Sequence, residues 1–102
     1  MTYAPFTMYE IENTISEESA SRGDYASSDA SVEAPATLRE ALDALLDGCW
    51  DNVDAHADAV IAYPADYDQN YRTGEWSATQ VVIHGAPRQI ARLLDLYDAR
   101  KR

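Results

Sequence analysis

The chain has 102 residues, 46% of them hydrophobic, and carries 18 acidic against 8 basic side chains, a net charge of −10. That length holds one domain around one core, and the charge disfavours direct binding to nucleic acid, whose phosphates repel such a surface. No apolar run is long enough to span a bilayer; the opening Met-Thr-Tyr-Ala-Pro lacks the basic and apolar regions of a secretory signal, and the single Cys49 has no partner for an internal disulfide, so a reducing cytoplasm is expected.

Residues 1–7 form a short lead-in containing Pro5. From Met8 to Ile15 the pattern alternates, with Tyr9, Ile11 and Ile15 on one side and Glu10, Glu12 and Thr14 on the other. This is the period of a half-buried strand, with Tyr9, Ile11 and Ile15 as the apolar side and Asn13 its weak position. Residues 16–36 differ in kind. They are rich in Ser, Asp and Glu, with only Arg22 to balance, and Tyr25 and Val32 are the sizeable apolar groups. The segment reads as a flexible acidic loop, the most mobile internal part of the chain, because it has little apolar area to offset its ordering entropy.

Thr37 to Gly48 is the best-signed element. Thr37 and Glu40 have the spacing of a capping box. Leu38, Leu42, Leu45 and Leu46 recur at three- and four-residue steps, which makes one apolar stripe, and Gly48 reads as a left-handed stop. The outer face carries Glu40, Asp43 and Asp47. Acids at 40, 43, 47, 51, 54 and 58 continue the three- and four-residue spacing and would form one stripe on an unbroken helix. Gly48 and the Asp51-Asn52 pair argue that the helix breaks first.

Cys49-Trp50 is a buried pair by residue type. Ala59 to Tyr63 reads as a strand stopped by Pro64, followed by a polar, tyrosine-rich connection over residues 65–74. Glu75 to His84 is the strongest strand, rich in β-favouring residues and free of Gly and Pro. Pro87 suits the first turn of a final helix, whose core stripe is Ile90, Leu93, Leu94 and Tyr97, with Arg88 and Arg92 off it. The order β-α-β-β-α predicts a single α+β domain over residues 1–102. Its expected architecture is a three-stranded, largely antiparallel sheet with two helices on one face.

No catalytic constellation is expected. Asp66, Asp68 and Asn70 have the first spacings of a calcium loop, but Tyr71 stands where the loop needs Gly and Ser77 where it needs Glu. An ordinary turn, with Asp and Asn bonding their own backbone, fits better. Cys49, His56 and His84 show no zinc spacing, and Cys49 beside Trp50 reads as a buried, inert thiol. There is no phosphate-binding glycine loop and no Gly-x-Ser-x-Gly. The expectation is a non-enzyme without cofactor or metal.

Charge distribution is the remaining signal. Residues 1–87 hold 16 acids and 3 bases, a net of −13, whereas residues 88–102 hold 2 acids and 5 bases, a net of +3. Acids three or four apart on a helix lie about 5 to 6 Å from each other, an approximate imitation of a phosphate row. Such a face suits a protein with a Lys- and Arg-lined nucleic-acid channel. The bland reading is a solvated surface.

Tyr9-Glu10-Ile11 running into Glu17-Glu18-Ser19-Ala20 and Gly23-Asp24, then Thr37-Leu38-Arg39-Glu40-Ala41 and Asn70-Tyr71-Arg72-Thr73-Gly74, resembles small acidic accessory proteins of bacteriophages and prophages. In size and charge the chain is similar to anti-CRISPR and anti-restriction inhibitors among them. No inhibitor motif carries over residue by residue. The resemblance implies the cytoplasm of a bacterial host cell and interference with host defence. The expected partner is then a host protein with a basic nucleic-acid-binding surface, with no membrane and no direct nucleic acid. The binding residues would be Glu40, Asp43 and Asp47, extended by Asp51, Asp54 and Asp58. The alternative is a structural or interaction module of phage origin, for example a homodimer, marked by an apolar patch that includes Trp50 or Trp76. If the helix face is not the interface, the acidic loop or an aromatic patch around Trp50, Tyr67, Tyr71 and Trp76 is the next candidate for it.

Overall fold

The computed structural model of the protein describes residues 3–16, 27–65 and 67–101. Among the described residues, seven strands and two helices follow in order: β1 (Phe6–Ile15), β2 (Ser27–Ala30), β3 (Ala34–Ala36), α1 (Leu38–Asp47), β4 (Trp50–Ala55), β5 (Ala59–Pro64), β6 (Asp68–Gln69), β7 (Trp76–Gly85) and α2 (Pro87–Lys101). The α+β class and the antiparallel sheet with two helices agree with the sequence. The sheet has seven strands, however, where the sequence predicts three, and the order β-β-β-α-β-β-β-β-α replaces β-α-β-β-α.

The two ten-residue strands β1 and β7 form the centre and pair along their whole length, from Phe6 opposite Gly85 to Ile15 opposite Trp76. The other edge of β1 takes β2 along one part and β3 along another. These two act as one interrupted strand. Met8 stands opposite Ala34 and Ile11 opposite Ala30, so a three-residue step on β1 meets a four-residue step on its partner. That is the count of a β-bulge. Ser31 closes the gap: its amide donates to the Glu10 carbonyl at 2.9 Å, and its hydroxyl oxygen accepts from the Glu10 amide at 2.9 Å. The other edge of β7 is shared by β5 and β6, and β4 lies outside β5, giving the order β2-β1-β7-β5-β4. The strands β2 and β3 therefore correct the reading of residues 16–36 as a loop. Their residues carry no alternation, and it is the free edge of β1 that makes them extended. Residues 17–26, with Tyr25, lie outside the described residues.

Both helices pack on one face of this sheet. Phe6, Val60, Ala62, Val81 and Ile83 meet Ala41, Leu42 and Leu45 of α1 and Ile90, Leu93 and Tyr97 of α2 in one buried cluster. The predicted stripes of both helices thus point inward, with Leu45, Ile83 and Leu93 at 1% exposure or less. The capping box is formed: the Thr37 hydroxyl oxygen accepts from the Glu40 amide at 3.1 Å, and Glu40 Oε1 accepts from the Thr37 amide at 3.0 Å.

Three local expectations change. Gly48 is not left-handed; its φ of −88° and ψ of 151° are extended. It is required for space, because a Cβ built there falls inside the Trp50 indole ring. That ring folds back over the helix end, where Trp50 Nε1 donates to the Ala44 carbonyl at 3.3 Å. Cys49 is exposed and Trp50 half-buried, so they are not a buried pair: only Trp50 has a helix to cover it. Finally, the side of β1 that faces the helices is the one bearing Phe6 and Met8, not the one bearing Tyr9, Ile11 and Ile15. Both sides of this strand hold apolar groups, and alternation alone does not say which the helices cover.

Candidate functional site

On α1, Glu40, Asp43 and Asp47 are all exposed. With a turn every 3.6 residues they fall within an arc of about 60° and about 10 Å along the axis. Each is differently tied. Glu40 is held by the capping box, and the Thr37 amide and the Thr37 side chain keep its carboxyl below the usual glutamate range. Asp43 lies 4.0 Å from Arg39, with both side chains largely in solvent, where such a pair contributes little. Asp47 occupies the last turn, which holds no base, so it opposes the negative end of the helix dipole.

The structure does not extend this cluster along one helix. The chain leaves α1 at Gly48, and the next three candidates follow β4. Asp51 is the inserted residue of a bulge, since Trp50 stands opposite Pro64 and Asn52 opposite Tyr63. It lines a groove with Trp50, Val53, Tyr97, Asp98 and Lys101. Lys101 Nζ sits 5.3 Å over the Tyr97 ring. Asp54, opposite Ile61, stands on the sheet face away from the helices, with its Oδ2 3.3 Å from His56 Nε2. Asp58 lies in the β4–β5 turn, where its carbonyl accepts from the Gly85 amide. So Glu40, Asp43 and Asp47 remain together, Asp51 flanks the helix layer, and Asp54 and Asp58 depart from it.

The histidines and the cysteine are also separated. His56 donates its amide to the Ala59 carbonyl, and Ala59 stands opposite His84, so both histidines lie at one end of β5. Cys49 accepts from the Ala65 amide beyond the other end. The six residue steps from Ala59 to Ala65 span about 20 Å at the rise of a strand, too far for a Cys–His pair. Asn70 serves the turn before β7: its Oδ1 accepts from the Arg72 amide at 3.0 Å and its carbonyl from Gly74, which takes a φ of 75°. Among the described residues no helix is long and apolar enough to cross a membrane.

A second surface went unread in the sequence. By register, the sheet face away from the helices presents Tyr9, Ile11 and Ile15 from β1, Trp76, Val82 and His84 from β7, and Ile61 and Tyr63 from β5. Tyr9 stacks on His84 with ring centroids 5.8 Å apart. Asn13, Gln80 and Ser28 link three strands: Asn13 Nδ2 donates to Gln80 Oε1 at 2.8 Å, and the Ser28 hydroxyl donates to Asn13 Oδ1 at 2.6 Å. Most of these side chains are half-buried, and no helix lies over them among the described residues. The signal was present. Ala59 to Tyr63 and Val81 to Ile83 are apolar at both parities, the pattern of strands covered on two faces. Of the expected aromatic patch, Trp76 is placed on this face by the register of β7, whereas Trp50 packs on α1.

The two faces differ in charge. At the described strand positions, Glu10, Glu12, Asp29 and Asp68 stand on the helix side, and the open side has Asp54 as its one carboxylate and no Lys or Arg. No protein-family model, no curated protein and no solved structure matches the chain.

Proposed function

We propose that the protein is a non-enzymatic, phage-encoded inhibitor of a host nucleic-acid-handling defence complex, of the anti-CRISPR or anti-restriction type, acting in the bacterial cytoplasm. It docks on a basic surface of that complex through carboxylates. The observation that supports this reading is the grouping of charge: among the described residues the strand carboxylates lie almost entirely on the helix side of the sheet, where α1 adds Glu40, Asp43 and Asp47 and most of the bases are gathered on α2. Evenly scattered acids would have spoken for mere solvation. Asp47 also sits at a helix end where a carboxylate costs stability, so a surface chosen for stability alone would not place it there.

The variant carrying Glu40→Gln, Asp43→Asn and Asp47→Asn tests the reading. Gln keeps the geometry of the capping box but gives up the contribution of the ionised Glu40, while Asn at 47 relieves the dipole, so the variant should fold with stability close to the parent's. Its association with the host complex recovered from bacterial lysate should slow, and it should lose competition with DNA or RNA. Raising salt should slow parental association much more than dissociation, since exposed charges are screened within about 8 Å at physiological ionic strength. Equal inhibition by variant and parent, with the same salt dependence, would reject this helix face. A phage interaction module without nucleic-acid mimicry is the second reading, favoured by the open sheet face that carries Trp76.

A further inference from the structure

We propose that two copies of this chain pair face to face through the open side of the sheet. The surface consists of the half-buried Tyr9 and Ile11 on β1, Ile61 and Tyr63 on β5, and Trp76 on β7, over the buried Val82. The proposal does not rest on the acidic helix face binding anything.

Charge selects the occupant. In a chain of net charge −10, the strand positions of this face hold one carboxylate among the described residues, Asp54, at the outer strand and already beside His56. Those positions offer little to attract a basic partner and little to repel a second copy. Interface centres have this composition, depleted of charge and enriched in aromatic groups. The polar side chains on the face are largely spoken for, because Ser28, Asn13 and Gln80 bond one another across three strands. Covering that row costs less desolvation than covering three unpaired groups.

The dimensions also fit. Strands β1 and β7 have ten residues each, about 33 Å at 3.3 Å per residue. Five strand positions spaced by about 4.8 Å give a width near 20 to 24 Å. The face therefore offers roughly 700 Å² per copy, close to the roughly 800 Å² per partner of a stable interface. Two such faces stack about 10 Å apart, with strands within about 30° of alignment. Each copy then points its helices outward. Sheet-to-sheet and helix-to-sheet spacings of about 10 Å each put the two helix layers roughly 30 Å apart. That exceeds three screening lengths at physiological salt, so the acidic surfaces barely oppose the pairing.

Sedimentation equilibrium of the purified chain tests this. The expected mass is twice 11.3 kDa at about 0.1 mM, falling towards one copy on dilution, with dimer retained or strengthened as salt rises. Ile11→Lys and Ile61→Lys each place a charge in the paired face and should give a folded monomer, with folding read by circular dichroism. Asp43→Asn should leave the dimer unchanged. A wild-type mass of one copy at about 0.1 mM overturns the proposal, and so does a dimer that persists in both folded lysine variants. If neither lysine variant folds, the wild-type mass and its response to dilution and salt still decide. A dimer weakened by salt would also overturn it, because salt should weaken only the charged contact proposed for α1.

Discussion

Replacing Gly48 by Ala discriminates between two reasons for a glycine at a helix end. In the structure Gly48 is extended, a conformation open to Ala, but the added methyl would fall inside the Trp50 indole. The ring must move. It then loses its hydrogen bond to the Ala44 carbonyl, about 0.5 to 1.5 kcal/mol, and the surrounding packing suffers an overpacking cost of about 1 to 3 kcal/mol. Against this, Ala narrows the unfolded ensemble and returns about 0.4 to 1 kcal/mol. The net expectation is a loss of about 0.5 to 4 kcal/mol, a fall in Tm of roughly 4 to 8 °C for each kcal/mol in a domain of this size. Thermal melts of Gly48→Ala, Trp50→Ala and the double variant read the coupling. In the Trp50→Ala background the methyl has room, so Gly48→Ala should become neutral or mildly stabilising. A left-handed glycine would behave otherwise, with Ala costing about 1 to 2 kcal/mol in either background. The same loss in both backgrounds would refute the steric argument.

Leu42→Ala removes a side chain that is 6% exposed in the central cluster and should cost roughly 2 to 5 kcal/mol, whereas Asp43→Ala on the outer face should be nearly neutral; equal Tm values would place the wrong face of α1 inward. Glu40 gives a pH dependence of known sign. Its carboxyl is held below the ordinary value in the folded chain by Thr37, so its contribution is fully present above the unfolded-state pKa and is lost as pH falls through the lower folded-state value. Glu40→Gln should therefore flatten the acid limb of a stability-versus-pH curve, measured by denaturant unfolding, and an identical limb in parent and variant would contradict the linkage.

Local codes in the sequence determined the elements whose causes are local. The capping box of Thr37 and Glu40, the leucine stripe of α1, Pro87 at the start of α2 and the β-favouring run ending at His84 all act within a few residues of themselves. The acidic balance was equally plain, whereas Gly48 and Asp51-Asn52 only argued for a break after α1, and on the ground of a left-handed glycine that the structure does not have. What required the tertiary structure depends on distant partners. Ser27–Ala30 and Ala34–Ala36 are strands because β1 leaves an edge of unpaired backbone groups for them. Asp51, Asn52 and Asp54 sit in β4 although none favours a strand, because an outer strand beside β5 tolerates charge and a bulge. Gly48 answers to an indole two residues away, not to its own dihedral angles. Which face of the sheet the helices cover was also undecided by alternation, since β5 and β7 are apolar on both sides. The choice follows from where the connections through α1 and α2 carry the chain, and that choice leaves Tyr9, Ile11, Tyr63 and Trp76 on the face away from both helices.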